Sequence, residues 1–194
     1  AQIAPTILLV KGGDSDWKNV LKLTATALGK PEQAEQRLQE YQQRLEELKR
    51  ELGSEAESLE ISVVRVFPGR IRLYQKGSFV GEILDDAGLS RPDSQQSDKI
   101  WTEISQERIQ DADGDVIFVW TLGERADKAL EKLKRDPLWA KLKAVRENRI
   151  YEVPGHWIGS GFLAADAVID DLFRYLLEEN NAPLEPQKSP EPTN

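Results

Sequence analysis

The feature that most constrains the fold of this chain is Val116-Ile-Phe-Val-Trp120, a run without a single polar residue. Such a strand is buried on both faces, as the strands of parallel sheets are. Two further strand patterns, Ile61–Phe67 and residues 149–153, flank it along the chain and are separated from it by helical stretches. Strands that alternate with helices predict an α/β fold, a three-layer Rossmann-like lobe with a mainly parallel sheet.

A hairpin and several helices complete the predicted lobe. Pro68-Gly69 forms a turn after the first strand, and residues 71–74 return as a second strand. Ser78 is expected to cap a helix. The polar residues 90–99 predict a loop that leads to Trp101. Further helices are predicted at residues 105–110, 124–135, 137–145 and 162–177.

A long helix is predicted before the lobe, from Pro31, a favoured first-turn residue, to Leu52. Its apolar residues recur at spacings of three and four, and this narrow stripe favours a helix packed on one side of a domain. A coiled coil is the alternative, but the stripe covers little more than two heptads. A shorter helix from about Asp16 to Gly29 and a first strand at residues 3–10 are expected before it.

The composition excludes several classes of site. A formal net charge of −8 argues against non-specific nucleic-acid binding, which needs a basic surface. The chain has no cysteine and a single histidine, His156, so disulfides, thiolate nucleophiles and histidine-rich metal sites are excluded. No resident metal or other cofactor is therefore expected, and a metal enters only as part of a ligand.

No enzymatic site can be assembled from the motifs. The chain lacks a Gly-x-x-x-x-Gly-Lys-Ser/Thr phosphate loop. Gly159-Ser160-Gly161 precedes a helix, but Ile158 stands where a nucleophile elbow needs its first glycine. A general-base role is conceivable for His156, yet no nucleophile can be placed beside it. We expect a protein that is not an enzyme.

Cationic and aromatic residues gather at the edge of the predicted sheet where parallel strands end and ligands bind. The candidate ligand-binding residues are Arg65, Arg72, Tyr74, Trp101, Trp120 and Trp157. Arg65 interrupts an apolar strand, and a buried guanidinium needs a carboxylate, a carbonyl or a ligand as its partner. Arg72 and Tyr74 share a strand face because strand side chains alternate. Two alternatives stay open: core packing for Trp120, and a salt-bridged surface hairpin for Arg70 and Arg72.

Several short motifs follow one another in a fixed order. They are Val63-Val-Arg-Val, Arg72-Leu-Tyr, Ser78-Phe-Val-Gly-Glu-Ile-Leu-Asp-Asp-Ala-Gly-Leu-Ser-Arg-Pro92, Ile104-Ser-Gln-Glu-Arg-Ile, Asp115-Val-Ile-Phe-Val and the stretch 153–177. Each motif alone is degenerate, but their order and spacing resemble those of ABC-transporter substrate-binding proteins of the helical-backbone class. These proteins carry ferric siderophores, haem or cobalamin, and the resemblance covers nearly the whole chain outside its proline-rich tail.

The resemblance implies a division of the chain into residues 1–13, the end of an N-terminal lobe; 14–53, an inter-lobe helical segment; and 54–179, a C-terminal α/β lobe. Residues 180–194 have the composition of a disordered tail. The family captures one ferric siderophore between two lobes and delivers it to the permease and ATPase of an ABC importer. By resemblance, Arg65 and Tyr74 lie in that cleft with Trp157 as a wall. Glu82, with Asp85 as the alternative, meets arginines of the permease.

Further expectations concern location and alternatives. The chain lacks a start methionine, so a fragment or processed form is expected, from a periplasmic protein or an extracytoplasmic lipoprotein. A cobalamin or haem carrier is the alternative within the same fold, and an interaction module built on the long helix is the alternative outside it. Because the first strand would have lost its neighbours, dimerisation by segment exchange is a further hypothesis.

Overall fold

The computed structural model describes residues 16–178. The strand predicted at residues 3–10, the segment 1–13 and the tail from residue 180 lie outside the described residues. The described part is a sheet covered by helices on both faces, and the two elements that precede it along the chain are helices.

The helices of the described part are α1 Trp17–Ala27, α2 Pro31–Leu52, α3 Phe79–Asp86, α4 Glu124–Leu133, α5 Lys143–Arg146 and α6 Phe162–Phe173. Helix α2 has the predicted bounds, because Pro31 opens it and Gly53, in a left-handed conformation at φ 60°, follows its last residue. Ser78 caps α3 as predicted: its hydroxyl accepts a hydrogen bond from the backbone N–H of Gly81. A π-helical turn, Arg174–Glu178, continues α6.

The strands are β1 Ile61–Phe67, β2 Arg70–Tyr74, β3 Trp101–Ile104, β4 Val116–Trp120 and β5 Ile150–Glu152. They form one sheet in the spatial order β3-β2-β1-β4-β5. Strands β1, β4 and β5 pair in parallel, whereas β2 pairs antiparallel with both β1 and β3. All strands except β2 therefore run in one direction, and the predicted mainly parallel α/β fold is confirmed.

The two faces of the sheet bury separate cores. Alternation along the strands sends Val63 and Phe118 to one face and Val64 and Ile117 to the other. Helices α2, α3 and α6 cover the first face, and α4 covers the second. The predicted stripe of α2, with Leu48 fully buried in it, packs into the first core. The stripe is thus used within this lobe.

Two segments near β3 differ from the expected local structure. Trp101, expected in a loop, begins β3, an edge strand whose other residues are mostly exposed or half-buried. Edge strands of mixed polarity carry little periodic signal, so this strand escaped prediction. Residues 105–110, expected as a helix, form part of a 3₁₀ helix, Gln106–Ala112, with a kink at Arg108.

The helix expected at residues 137–145 is interrupted. Leu142 is extended, with ψ 139°, and separates a short 3₁₀ turn from α5. The carboxylate of Asp113 accepts hydrogen bonds from the backbone N–H groups of Lys143 and Ala144, at 2.8 and 3.3 Å. This long-range cap starts α5 anew, and local sequence does not reveal it.

Candidate ligand-binding site

Four side chains form a row across the sheet near the carboxyl ends of β1 and β4. Trp120 is the register partner of Arg65, Arg65 is also the partner of Arg72, and Arg72 is the partner of Glu103. Directly paired residues on neighbouring strands point to the same side, so all four lie on the face of the first core. The row places two guanidinium groups side by side at the edge where the sequence predicts a site.

A cavity of about 250 Å³ opens at this row. Of the sequence-predicted site residues, Arg65, Arg72, Tyr74, Trp101 and Trp157 line it. The start of α3, residues 78–80, and the loop before α6, residues 158–160, supply the remaining walls together with Ile100. The fold thus brings together residues from three strands, one helix start and one loop.

Arg65 lies between two aromatic rings. Its guanidinium carbon is 4.0 Å from the ring centroid of Trp120 and 4.2 Å from that of Phe67. Its buried Nε has no hydrogen-bond partner, and within residues 16–178 no carboxylate forms an ion pair with it. Aromatic faces attract a cation but leave its N–H donors unsatisfied. The side chain is therefore held in place with donors available to an anionic ligand.

Arg72, by contrast, has a counter-ion. Its Nε lies 3.4 Å from a carboxylate oxygen of Glu103, and Nη1 of Arg70 lies 3.6 Å from the same oxygen. The Arg72 guanidinium also covers the ring of Trp101 at 4.4 Å. The sequence left two interpretations open for this hairpin, a ligand site and a surface salt bridge. Arg70 forms only the salt bridge, whereas Arg72 forms the salt bridge and also lines the cavity.

The three tryptophans differ in exposure. Trp101 is 39% exposed and forms an open wall of the cavity. Trp120 is buried beneath Arg65 and is absent from the cavity lining, so the core-packing interpretation describes its position. Trp157 lines the cavity, but its side chain is fully buried and its ring lies 4.3 Å from that of Phe118. Trp157, expected as a wall of the site, therefore forms the buried floor of the cavity.

Asp171 of α6 is a residue that sequence reasoning missed. One of its carboxylate oxygens accepts a hydrogen bond from Nε1 of Trp157 at 2.8 Å and lies 2.7 Å from Nε2 of His156. Two consecutive side chains of the loop that lines the cavity are thereby fixed to one helix residue. The only sequence signal is an aspartate on a largely apolar helix, which alone does not identify a partner.

Asp171→Ala should lower the free energy of unfolding by about 1–3 kcal/mol, because it leaves the buried indole N–H of Trp157 without an acceptor. Urea unfolding followed by circular dichroism measures this loss. Asp170→Ala is the matched control, since Asp170 is exposed and pairs with Arg44 at the surface. Equal stability of the Asp171 variant and the wild-type chain would contradict this function of Asp171.

Glu82, the residue expected to meet a permease, is half-buried and paired. Its carboxylate lies 2.9 Å from Nζ of Lys18 in α1, only 24% of its side chain is exposed, and its second oxygen has no partner among the described residues. Burial raises the pKa of the Glu82 carboxyl above its ordinary value, although the Lys18 ammonium opposes the shift. The alternative, Asp85, is 60% exposed and pairs with Lys76 at 3.0 Å.

Glu82→Gln should raise stability at neutral pH, because glutamine mimics the protonated acid that the folded state favours. The pKa of Glu82 in the folded state lies above its unfolded-state value of about 4.3. Protonated Glu82 therefore makes its full contribution to folding stability below the unfolded-state pKa. This contribution is lost as the pH rises through the folded-state pKa. The variant's advantage, measured by urea unfolding between about pH 4 and pH 7, should therefore grow with pH.

Glu131→Gln provides the control of opposite sign. A hydrogen bond from Lys134 lowers the pKa of the Glu131 carboxyl, so its ionised form stabilises the fold above the unfolded pKa. This substitution should lower stability slightly at neutral pH and lose its effect as the pH falls. A Glu82 variant that follows the same trend would contradict the burial argument.

Two negative findings apply to residues 16–178. No group of three or more histidine, aspartate or glutamate side chains there is arranged to hold a metal ion. No helix of this part is long and apolar enough to cross a membrane.

Comparison with known proteins agrees with this architecture. A family model described as periplasmic binding protein matches residues 1–156. The chain belongs to this family. The probable siderophore-binding lipoprotein YfiY of Bacillus subtilis (strain 168) is 34% identical over 191 residues, which cover 91% of this chain and 58% of that protein. The chain thus spans little more than half the length of this relative.

Two solved structures of this fold contain siderophores. Staphylococcus aureus SirA complexed with staphyloferrin B superposes with a TM-score of 0.76 at 26% identity, covering 85% of this chain and 62% of SirA. The triscatecholate siderophore binding protein FeuA from Bacillus subtilis, complexed with ferri-bacillibactin, superposes with a TM-score of 0.76 at 27% identity. The match covers 87% of this chain and 62% of FeuA. The resemblance identified from the ordered motifs is confirmed at the level of family and fold.

Proposed function

We propose that the described lobe forms one wall of a cleft that captures a ferric siderophore as part of the substrate-binding component of an ABC importer. The observation that carries the proposal is Arg65, a cation held between two aromatic rings at the cavity with no counter-ion among the described residues. The position at the carboxyl edge of a mainly parallel sheet is where α/β folds bind ligands.

The chemistry of a ferric chelate suits this cavity. Catecholate and carboxylate chelates of iron(III) are commonly anionic, and guanidinium groups bind their oxygens through charge-assisted hydrogen bonds. Trp101 covers apolar parts of the chelator from one side. Iron enters only as part of the ligand. The known complexes of SirA and FeuA support the substrate class, and their different chelators leave the individual siderophore to experiment.

Delivery to a permease and its ATPase is part of this proposal, and the family membership supports it. Glu82 and Asp85 each pair with a lysine, but Asp85 is 60% exposed and Glu82 only 24%, so Asp85 is better suited to meet arginines of a permease. An extracytoplasmic location, in the periplasm or as a lipoprotein, is proposed from the relatives. A haem carrier is a weaker candidate, since the ring of His156 is engaged by Asp171.

A fluorescence titration tests the proposal. Trp101 is the exposed tryptophan at the cavity, whereas the other four are 3% exposed or less. A bound ferric chelate should quench the Trp101 contribution in a saturable manner, and the same chelator without iron should quench far less. Trp101→Phe, which removes the reporter, is the control for inner-filter losses. No saturable quenching by ferri-bacillibactin, staphyloferrin B or ferrichrome at any accessible chain concentration would overturn the proposal.

A further inference from the structure

A carboxylate lies beside the cavity without lining it, and it pairs with one of the two cavity arginines. This carboxylate belongs to Glu103, at the end of the row Trp120, Arg65, Arg72, Glu103; it pairs with Arg72, which lines the cavity, and with Arg70, which does not. We propose that Glu103 is a specificity-determining residue that selects among ferric chelates by their net charge. This inference rests on the proposed function.

The two cavity arginines are electrostatically unequal. Arg65 has no ion-pair partner among the described residues, so its full charge is available to a ligand. Arg72, only 19% exposed, shares its charge with Glu103 at 3.4 Å. A chelate that needs one cation can use Arg65 without disturbing any ion pair. A chelate of higher negative charge also requires Arg72, and it then lies close to the carboxylate of Glu103.

Glu103 lies where its charge can be changed without disturbing the fold. The residue lies on the edge strand β3 and its side chain is 44% exposed, so water reaches it beside the cavity. Exposed ion pairs contribute little stability, and substitution here should leave the fold intact. The same carboxylate repels an anion that binds Arg72, because the anion and Glu103 would then share one guanidinium.

Ligand chemistry defines the selection. Three catecholates carry six negative charges against three on iron(III), so a ferric triscatecholate is trianionic, whereas a ferric trishydroxamate is neutral. Glu103 should disfavour the triscatecholate and leave the trishydroxamate almost unaffected. Replacing the carboxylate by an amide of equal shape removes the repulsion and retains a hydrogen-bond acceptor for Arg72.

The experiment compares Glu103→Gln with Glu131→Gln, an equal charge change at an exposed ion pair on α4, which covers the opposite face of the sheet. Both variants and the wild-type chain are titrated with ferri-bacillibactin and with ferrichrome. The ratio of the two affinities should shift towards ferri-bacillibactin by about three- to tenfold in Glu103→Gln only. An unchanged ratio in a chain that binds both chelates overturns this inference alone, while no binding of either chelate by the wild-type chain overturns the proposed function as well.

A second measurement needs no siderophore. Iodide and caesium ions quench exposed tryptophan, and Trp101 is the exposed one beside Arg72. The ratio of iodide to caesium quenching should rise in Glu103→Gln, because the local potential becomes more positive, and stay unchanged in Glu131→Gln. A quenching ratio that does not respond to Glu103→Gln would show that this carboxylate does not set the charge of the cavity, and it would overturn the inference.

Discussion

Arg65→Met should weaken the binding of ferri-bacillibactin by about ten- to a hundredfold. This is the loss expected when a charge-assisted hydrogen bond to a ligand in a partly buried site is removed. Methionine keeps the length and apolar packing of the side chain between Trp120 and Phe67 but cannot donate to the chelate. Since the buried Nε of Arg65 has no hydrogen-bond partner among the described residues, the substitution also removes an unsatisfied buried donor. Stability should therefore stay constant or rise while affinity falls.

Arg70→Met is the matched control. Arg70 lies on the same strand face as Arg72, pairs with Glu103 and covers the ring of Phe67 at 4.9 Å, but it is absent from the cavity lining. Calorimetric titration of the three chains should show a large loss for Arg65→Met and a small one for Arg70→Met. Equal losses in the two variants would mean that long-range charge, and not the position of Arg65, controls binding.

Trp157→Ala should lower the free energy of unfolding by about 3–5 kcal/mol, the largest stability effect expected at the site. The ring is fully buried, packs on Phe118 at 4.3 Å and satisfies Asp171 through its N–H group. Truncation creates a large cavity and leaves a partly buried carboxylate with one partner fewer. The floor of the ligand cavity would collapse with it, so the loss of binding should follow the loss of structure.

Trp101→Ala separates the two functions of the aromatic walls. Trp101 is largely at the surface of edge strand β3, so its truncation should change stability by no more than about 1 kcal/mol. Its contact with the chelate should nevertheless be lost, and affinity should fall. Urea unfolding and ligand titration of both tryptophan variants measure this contrast. A stable Trp157→Ala chain, or a strongly destabilised Trp101→Ala chain, would contradict the assignment of floor and wall.

The sequence predicts the elements whose signals are local and strong. The apolar run Val116–Trp120 required a buried central strand, and Pro31 and Gly53 define α2, so these elements have the expected bounds. Local pattern also identifies Arg65 as a candidate site residue, because a single arginine in an apolar strand is costly to bury without a partner. These features depend on composition, alternation and caps within a few residues.

The remaining features depend on contacts between distant residues. Whether Trp157 is a wall or a floor is decided by Phe118 and Asp171, which lie on β4 and α6. The ion pair between Arg72 and Glu103 exists because β3 pairs with β2, and β3 itself has no clear strand pattern. Lys18 likewise reaches Glu82 from another helix. Sequence spacing contains none of this information, so the electrostatics of the site emerge only from the fold.

Paramagnetic mapping by NMR shows directly whether a ferric chelate binds at the cavity beside Arg65. High-spin iron(III) broadens the amide resonances of nearby residues, and the gallium(III) chelate of the same siderophore is the diamagnetic control. We expect ferri-bacillibactin to broaden selectively the amide resonances of four residues around the cavity: Arg65, Arg72, Trp101 and Ser160. Broadening centred elsewhere, for example on the groove between α2 and α6 beside Arg44 and Asp166, would contradict it.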